Sequence, residues 1–142
     1  MTKVIIGYDE SYDARTKERV KTPVYADLAD LKAERTAELQ QQIRDHVDTH
    51  LPPNEREGLA ALMQRTTLMR LMGAPVDEGA SLALVMSLSW AESAMVLGDD
   101  IAQACAKATS AEELQAITVD LESLGTPPKI TSGEIAKALR GA

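Results

Sequence analysis

The chain has 142 residues, no Phe, one Trp, three Tyr, one Cys and a formal net charge of −7. A single cysteine excludes an internal disulfide framework, and the shortage of aromatic residues argues against a sheet-dominated fold. One domain of this length can bury roughly 68–70% of the surface its unfolded chain exposes.

The charge is uneven. Residues 1–72 hold eleven basic and twelve acidic residues, whereas residues 73–142 hold four and ten. No Lys or Arg lies between Arg70 and Lys107. Such a surface repels phosphate, so neither nucleic acid nor an anionic membrane is expected as a partner. A basic or neutral protein surface suits the C-terminal half better. The opening MTKVIIGYDE has too short an apolar run for a signal peptide, and a cytoplasmic location is expected.

Proline and glycine cut the sequence at Pro23, Pro52-Pro53, Gly73 to Pro75 and Gly125 to Pro128, where helices tend to stop. The pattern predicts a mostly α protein: a small bundle of four or five helices behind an N-terminal extended arm or short β-hairpin. In domain terms this is an arm over 1–25, a helical domain over 26–124 and a C-terminal segment with a short helix over 125–142.

Within the arm, Lys3 to Tyr8 reads as a short strand and Val20 to Tyr25 as its partner, with Pro23 confining the pair to an edge position. The charged link between them carries no strong two-residue turn signal. Residues 26–50 read as an amphipathic helix. Leu28, Leu31, Leu39, Ile43 and Val47 share one face, and Arg35 interrupts it.

The next helix is expected to start at Asn54, a good cap, with Glu57 in third position. Leu59, Leu62, Met63, Thr66, Met69 and Met72 then form a stripe at helical spacing. The central helix is expected from near Asp77 towards Ala108. Residues 82–97, LALVMSLSWAESAMVL, contain one charge (Glu92), no proline and no glycine. Such a helix belongs in the middle of a domain or against another protein. The run is shorter than the ~20 residues of a membrane span. Leu84, Leu88, Ala91, Met95, Gly98, Ala102 and Cys105 form a seam of small and apolar residues suited to close packing. Gly98-Asp99-Asp100 is a soft point where the helix runs on or splits. Two capping boxes, Ser110 to Glu113 and Thr131 to Glu134, announce two short final helices, the last reading as a mobile tail beyond its double proline.

Chemistry-bearing constellations are sparse. His46 and His50 are spaced as a zinc pair on a helix would be. A third ligand is missing, and Val47 stands where the metalloprotease pattern has its Glu. A helix C-terminus also suits histidines without any metal. Asp99, Asp100 and Glu92 read as a solvated turn or cap rather than a cation site, since hard cations need converging oxygens. Cys105 sits on the apolar seam and reads as core. No phosphate-binding glycine loop and no serine-nucleophile elbow occur. No catalytic residue, cofactor or metal is therefore expected. The methionine cluster reads first as core and second as an adaptable partner surface. The candidate interface residues are Met63, Met69, Met72, Leu84, Leu88, Trp90 and Met95.

Two segments carry a family resemblance. Residues 28–39, LADLKAERTAEL, and residues 101–117, IAQACAKATSAEELQAI, with Trp90 between them, resemble small tail-fibre-associated or tail-fibre-assembly proteins of tailed bacteriophages and prophages. The resemblance implies a non-enzymatic structural role. The expected partner is another tail protein or the chain itself as a homo-oligomer, located in the cytoplasm during assembly and then in the virion tail. The rival from composition is a small acidic host adaptor that binds a basic protein. A third reading is a metal-dependent enzyme built on His46 and His50.

Overall fold

The structure is a computed structural model that describes residues 2–141. Helix makes up 65% of it, so the mostly α class with an N-terminal hairpin holds. The elements run β1 (Lys3–Asp13), β2 (Glu18–Asp27), α1 (Leu28–His50), α2 (Pro53–Leu71), α3 (Glu78–Lys107), α4 (Ala111–Ala116), a 3-10 turn (Leu121–Leu124) and α5 (Ser132–Arg140). The chain divides into two compact units. One comprises Met1–Gln41 with Asp99–Val119, and the other Gln42–Gly98 with Asp120–Ala142.

In the first unit β1 and β2 form an antiparallel ribbon. It is longer and more regular than the alternating residues alone indicate. The turn rests on Asp13, whose carboxylate accepts from the Arg15 amide at 2.9 Å and whose carbonyl accepts from the Lys17 amide at 2.7 Å. Lys17 supplies a left-handed φ of 57°, so the turn works without the usual glycine. Pro23 sits opposite Tyr8. A two-stranded ribbon has only edge strands, so a missing amide is tolerated there. Asp27 closes β2 and also caps α1, accepting from the Ala29 amide at 2.9 Å. Leu28, Leu39, Ile101, Cys105, Ala108 and Leu114 are this unit's buried apolar side chains.

Two basic residues of α1 finish other helices in this unit. The Lys32 ammonium donates to the Ala106 carbonyl at 2.7 Å, near the end of α3. The Arg35 guanidinium donates to the Leu114 and Ile117 carbonyls at 3.2 and 2.7 Å, at the end of α4. The last carbonyls of a helix lack internal partners, and a cation suits both their lone pairs and the dipole.

In the second unit, Ile43, Val47, Leu51, Leu59, Leu62, Leu84, Trp90, Ala94, Ile135 and Leu139 are buried. α2 starts one residue before the expected cap. Pro53 occupies its first turn and the preceding Pro52 makes no side-chain cap, which fits proline's preset φ and missing donor. Gly73 ends the segment at φ 71°, the usual left-handed stop after a helix. α3 runs unbroken through Gly98, so Asp99 and Asp100 are mid-helix residues and form neither a turn nor a cap. A Cβ at Gly98 would meet Ile43 Cδ1 at 3.9 Å, ordinary packing distance. α5 is docked, contrary to the expectation of a mobile tail. Ile135 and Leu139 are buried, and the Ser132 amide donates to the Glu55 carboxylate of α2 at 2.8 Å.

Candidate protein-interaction surfaces

A helix turns 100° per residue, so the phase of α3 decides what each side chain does. Leu84, Ser87, Trp90 and Ala94 are buried, with Leu84 at 0% exposure. On the opposite side lie Leu82, Val85, Met86 and Val96, all exposed, with Leu82 at 61%. Met95 flanks this face and is 72% exposed. The expectation that residues 82–97 are hidden is thus met within the chain by one stripe only. α3 as a whole is long and apolar enough to cross a membrane by length and composition, longer than the run read from the sequence. A third of its most apolar window is buried inside the chain.

The sequence-derived interface residues separate accordingly. Leu84 and Trp90 belong to the core and are not available to a partner. The Trp90 indole donates to the Gly125 carbonyl at 3.2 Å, which holds the 125–128 segment beside α3. Met63, Met69 and Leu88 are half-buried. Only Met72 and Met95 stand out into solvent, Met72 at 82%. Large apolar side chains outside that set are exposed as well: Leu68 and Leu71 at the end of α2, and Leu82, Val85, Met86 and Val96 on α3. Their signal was present in the sequence as a second apolar phase opposite the Leu84–Cys105 seam. Arg70 joins the two helix ends, contacting the Glu78 carboxylate at 3.2 Å and the Ser81 hydroxyl at 2.9 Å.

The N-terminal half of this face opens into a groove of about 430 Å³ lined by Gly79, Leu82, Ala83, Met86, Thr126, Pro127 and Pro128. None of these is charged, and two are prolines with fixed φ, so the groove favours apolar side chains. Glu92, Asp99 and Asp100 are exposed along the same helix and form no ion pair among the described residues. Between Met86 and Val96 the exposed Ser89, Glu92 and Ser93 share this side of the helix, so its apolar side chains form a patch at Leu82, Val85 and Met86, with Val96 apart from it.

A second group of exposed apolar side chains, in the first unit, consists of Ile5, Ile6, Tyr8, Tyr12, Val20 and Tyr25 on the ribbon. All the large exposed apolar side chains among the described residues fall in these two groups. The first unit also holds a smaller groove of about 210 Å³, lined in part by Ile6, Leu31, Glu34 and Arg35. Its one cation is already engaged by two carbonyls and by Glu38 at 3.2 Å.

The histidine pair forms a ring cluster. The His46 and His50 rings meet edge-on at 4.6 Å between centroids, and both lie about 6 Å from Trp90 (6.0 and 5.9 Å). No group of three or more His, Cys, Asp or Glu side chains is placed to hold a metal ion among the described residues. Cys105 is fully buried, away from the solvent a reactive thiol needs. Comparison with family models, curated proteins and solved structures returned no match to this chain.

Proposed function

We propose that this chain is a non-enzymatic assembly protein that acts by burying the outer face of α3 and the adjoining end of α2 against another protein. The observation that carries this reading is an exposed apolar patch on the outer side of a helix whose other side is already core: Leu82, Val85 and Met86, with Val96 beyond Ser89, Glu92 and Ser93, opposite buried Leu84, Trp90 and Ala94. Exposed apolar side chains gathered on one face mark binding surfaces far more often than isolated ones do. Fully burying each large apolar side chain contributes roughly 1.5–3 kcal/mol, and association costs about 4–15 kcal/mol, so several must be covered together. A straight helix presents them without further ordering. The exposed Glu92, Asp99 and Asp100 of α3 favour a partner that carries basic residues.

The segments 28–39 and 101–117 favour a setting in the tail of a bacteriophage or prophage, with another tail protein or a further copy as the partner. The stretch without Lys or Arg from 71 to 106 favours, as a second reading, a host adaptor that uses the same face on a basic protein. Co-expression of the chain with the products of its neighbouring genes tests both. Wild type is expected to co-purify with at least one product, or with further copies of itself, and Leu82→Glu/Val96→Glu to lose that contact. A double variant that keeps every contact contradicts the proposal. The identity of the captured neighbour, fibre or baseplate part against host protein, separates the two settings.

A further inference from the structure

The three tyrosines of the chain all lie on one face of the hairpin. β2 alternates without interruption, so Arg19, Lys21, Pro23 and Tyr25 share a side. The register pairs them with Tyr12, Glu10, Tyr8 and Ile5, and the bulge between Ile5 and Gly7 brings Ile5 back onto that side. Each tyrosine is more than half exposed; on the reverse side Val4, Gly7, Val24 and Ala26 near the open end are half-buried, while Ser11, Val20 and Thr22 further out are exposed. The outward face thus combines three tyrosines with Arg19, two residue types enriched at binding hot spots, and Lys21 adds a second positive charge. Arg19 and Lys21 share a single carboxylate, Glu10, at 3.9 and 3.7 Å. One positive charge remains in excess there.

Its complement is present on the same molecule. Glu92 and Asp99 stand seven residues apart along one edge of the α3 face, unpaired among the described residues. The lengths agree as well. Tyr8 to Tyr12 spans about 13 Å of strand, and Met86 to Val96 about 15 Å of helix. A symmetric α3-to-α3 contact would set each acidic edge against its own copy, which is unfavourable.

We infer that the tyrosine face of one copy's hairpin docks on the outer face of α3 of a second copy, with Arg19 and Lys21 meeting Glu92 and Asp99. This rests on the reading of α3 proposed above and names its occupant. A contact between two different patches is heterologous, so it propagates into a ring or a filament.

Sedimentation velocity on two variants tests it. Tyr8→Ser/Tyr12→Ser removes the hairpin anchor, and Leu82→Glu/Val96→Glu spoils the α3 face. All four positions are exposed, so the fold should persist in both. Wild type is expected to assemble beyond a dimer as concentration rises. Each variant alone is expected to be monomeric, its dissociation constant raised ~30-fold or more. An equimolar mixture of the two retains one good hairpin and one good α3 face, so it is expected to form a 1:1 dimer and stop there, which also shows that both variants are folded. A monomeric wild type, a mixture that stays monomeric, or a hairpin variant that assembles like wild type overturns the inference. If Leu82→Glu/Val96→Glu still loses a neighbouring protein in that case, the proposed role of the α3 face survives; if it loses nothing, both fall together.

Discussion

Arg35 interrupts an otherwise apolar helix face, and a pattern reading takes it as a defect. In the structure its side chain is 13% exposed and binds two carbonyls at the end of α4. It has become the C-terminal cap of another helix. The carbonyls it serves lie about eighty residues away, a separation no local pattern reveals. Glu113 is the opposite case, because its capping box is readable from spacing alone. The box differs in one respect: the Glu113 carboxylate accepts from the amide and hydroxyl of the preceding Thr109, at 2.6 and 3.0 Å, while Ser110 accepts from the Glu113 amide at 3.1 Å. The Thr109 amide, then its hydroxyl, and the charge of Lys32 hold the Glu113 carboxyl below its ordinary value of 4.5. A lowered carboxylate pKa stabilises the fold above the unfolded value, and that contribution disappears as pH falls through the folded value. Glu113→Gln should therefore lower the Tm at pH 7, and the gap to wild type should close as pH drops below about 4.5. A gap that is independent of pH would contradict this role for the charge.

At the scale of elements, α3 shows what periodicity delivers and where it stops. The seam through Leu84, Gly98 and Cys105 is buried as read, because a helix fixes which residues share a side. The start near Asp77 also holds, with the Asp77 carboxylate accepting from the Ala80 amide at 2.9 Å. Leu88 and Met95 lie off the centre of the seam and are partly or largely exposed. At 100° per residue, Leu88 lies about 40° round the helix from Leu84 and Met95 about 60° from Gly98, both turned away from the side of Trp90 and Ala94. Gly98 is the residue that weakens this element, since glycine in a helix interior is less favourable than alanine. Gly98→Ala places its Cβ at ordinary distance from Ile43, and it should raise unfolding free energy by about 0.5–1 kcal/mol. Chemical denaturation measures this, and a loss of stability would mean that the helix needs glycine here.

For the whole molecule, the fold class was legible and the surfaces were not. Helix caps, prolines and apolar stripes are local signals, and they placed nearly every helix. Burial of α5 on α2 through Ile135, Leu139 and the Ser132–Glu55 bond is a long-range fact. So is the register that lines up Tyr8, Tyr12 and Tyr25, because it depends on a bulge that no residue between Ile5 and Gly7 announces. The candidate interface was half legible for the same reason. Residues 82–97 carry more apolar side chains than one buried stripe requires, yet which of them face outwards depends on which neighbours claim Leu84 and Trp90.

The central claim is that the outer face of α3 is covered when the protein is at work. Oxidative footprinting of Met86 in the assembled state, with the dilute dissociated chain as reference, tests it most directly. Met86 should be protected on assembly, while half-buried Met63 on α2 should react alike in both states. Equal oxidation of Met86 in the two states would contradict the account.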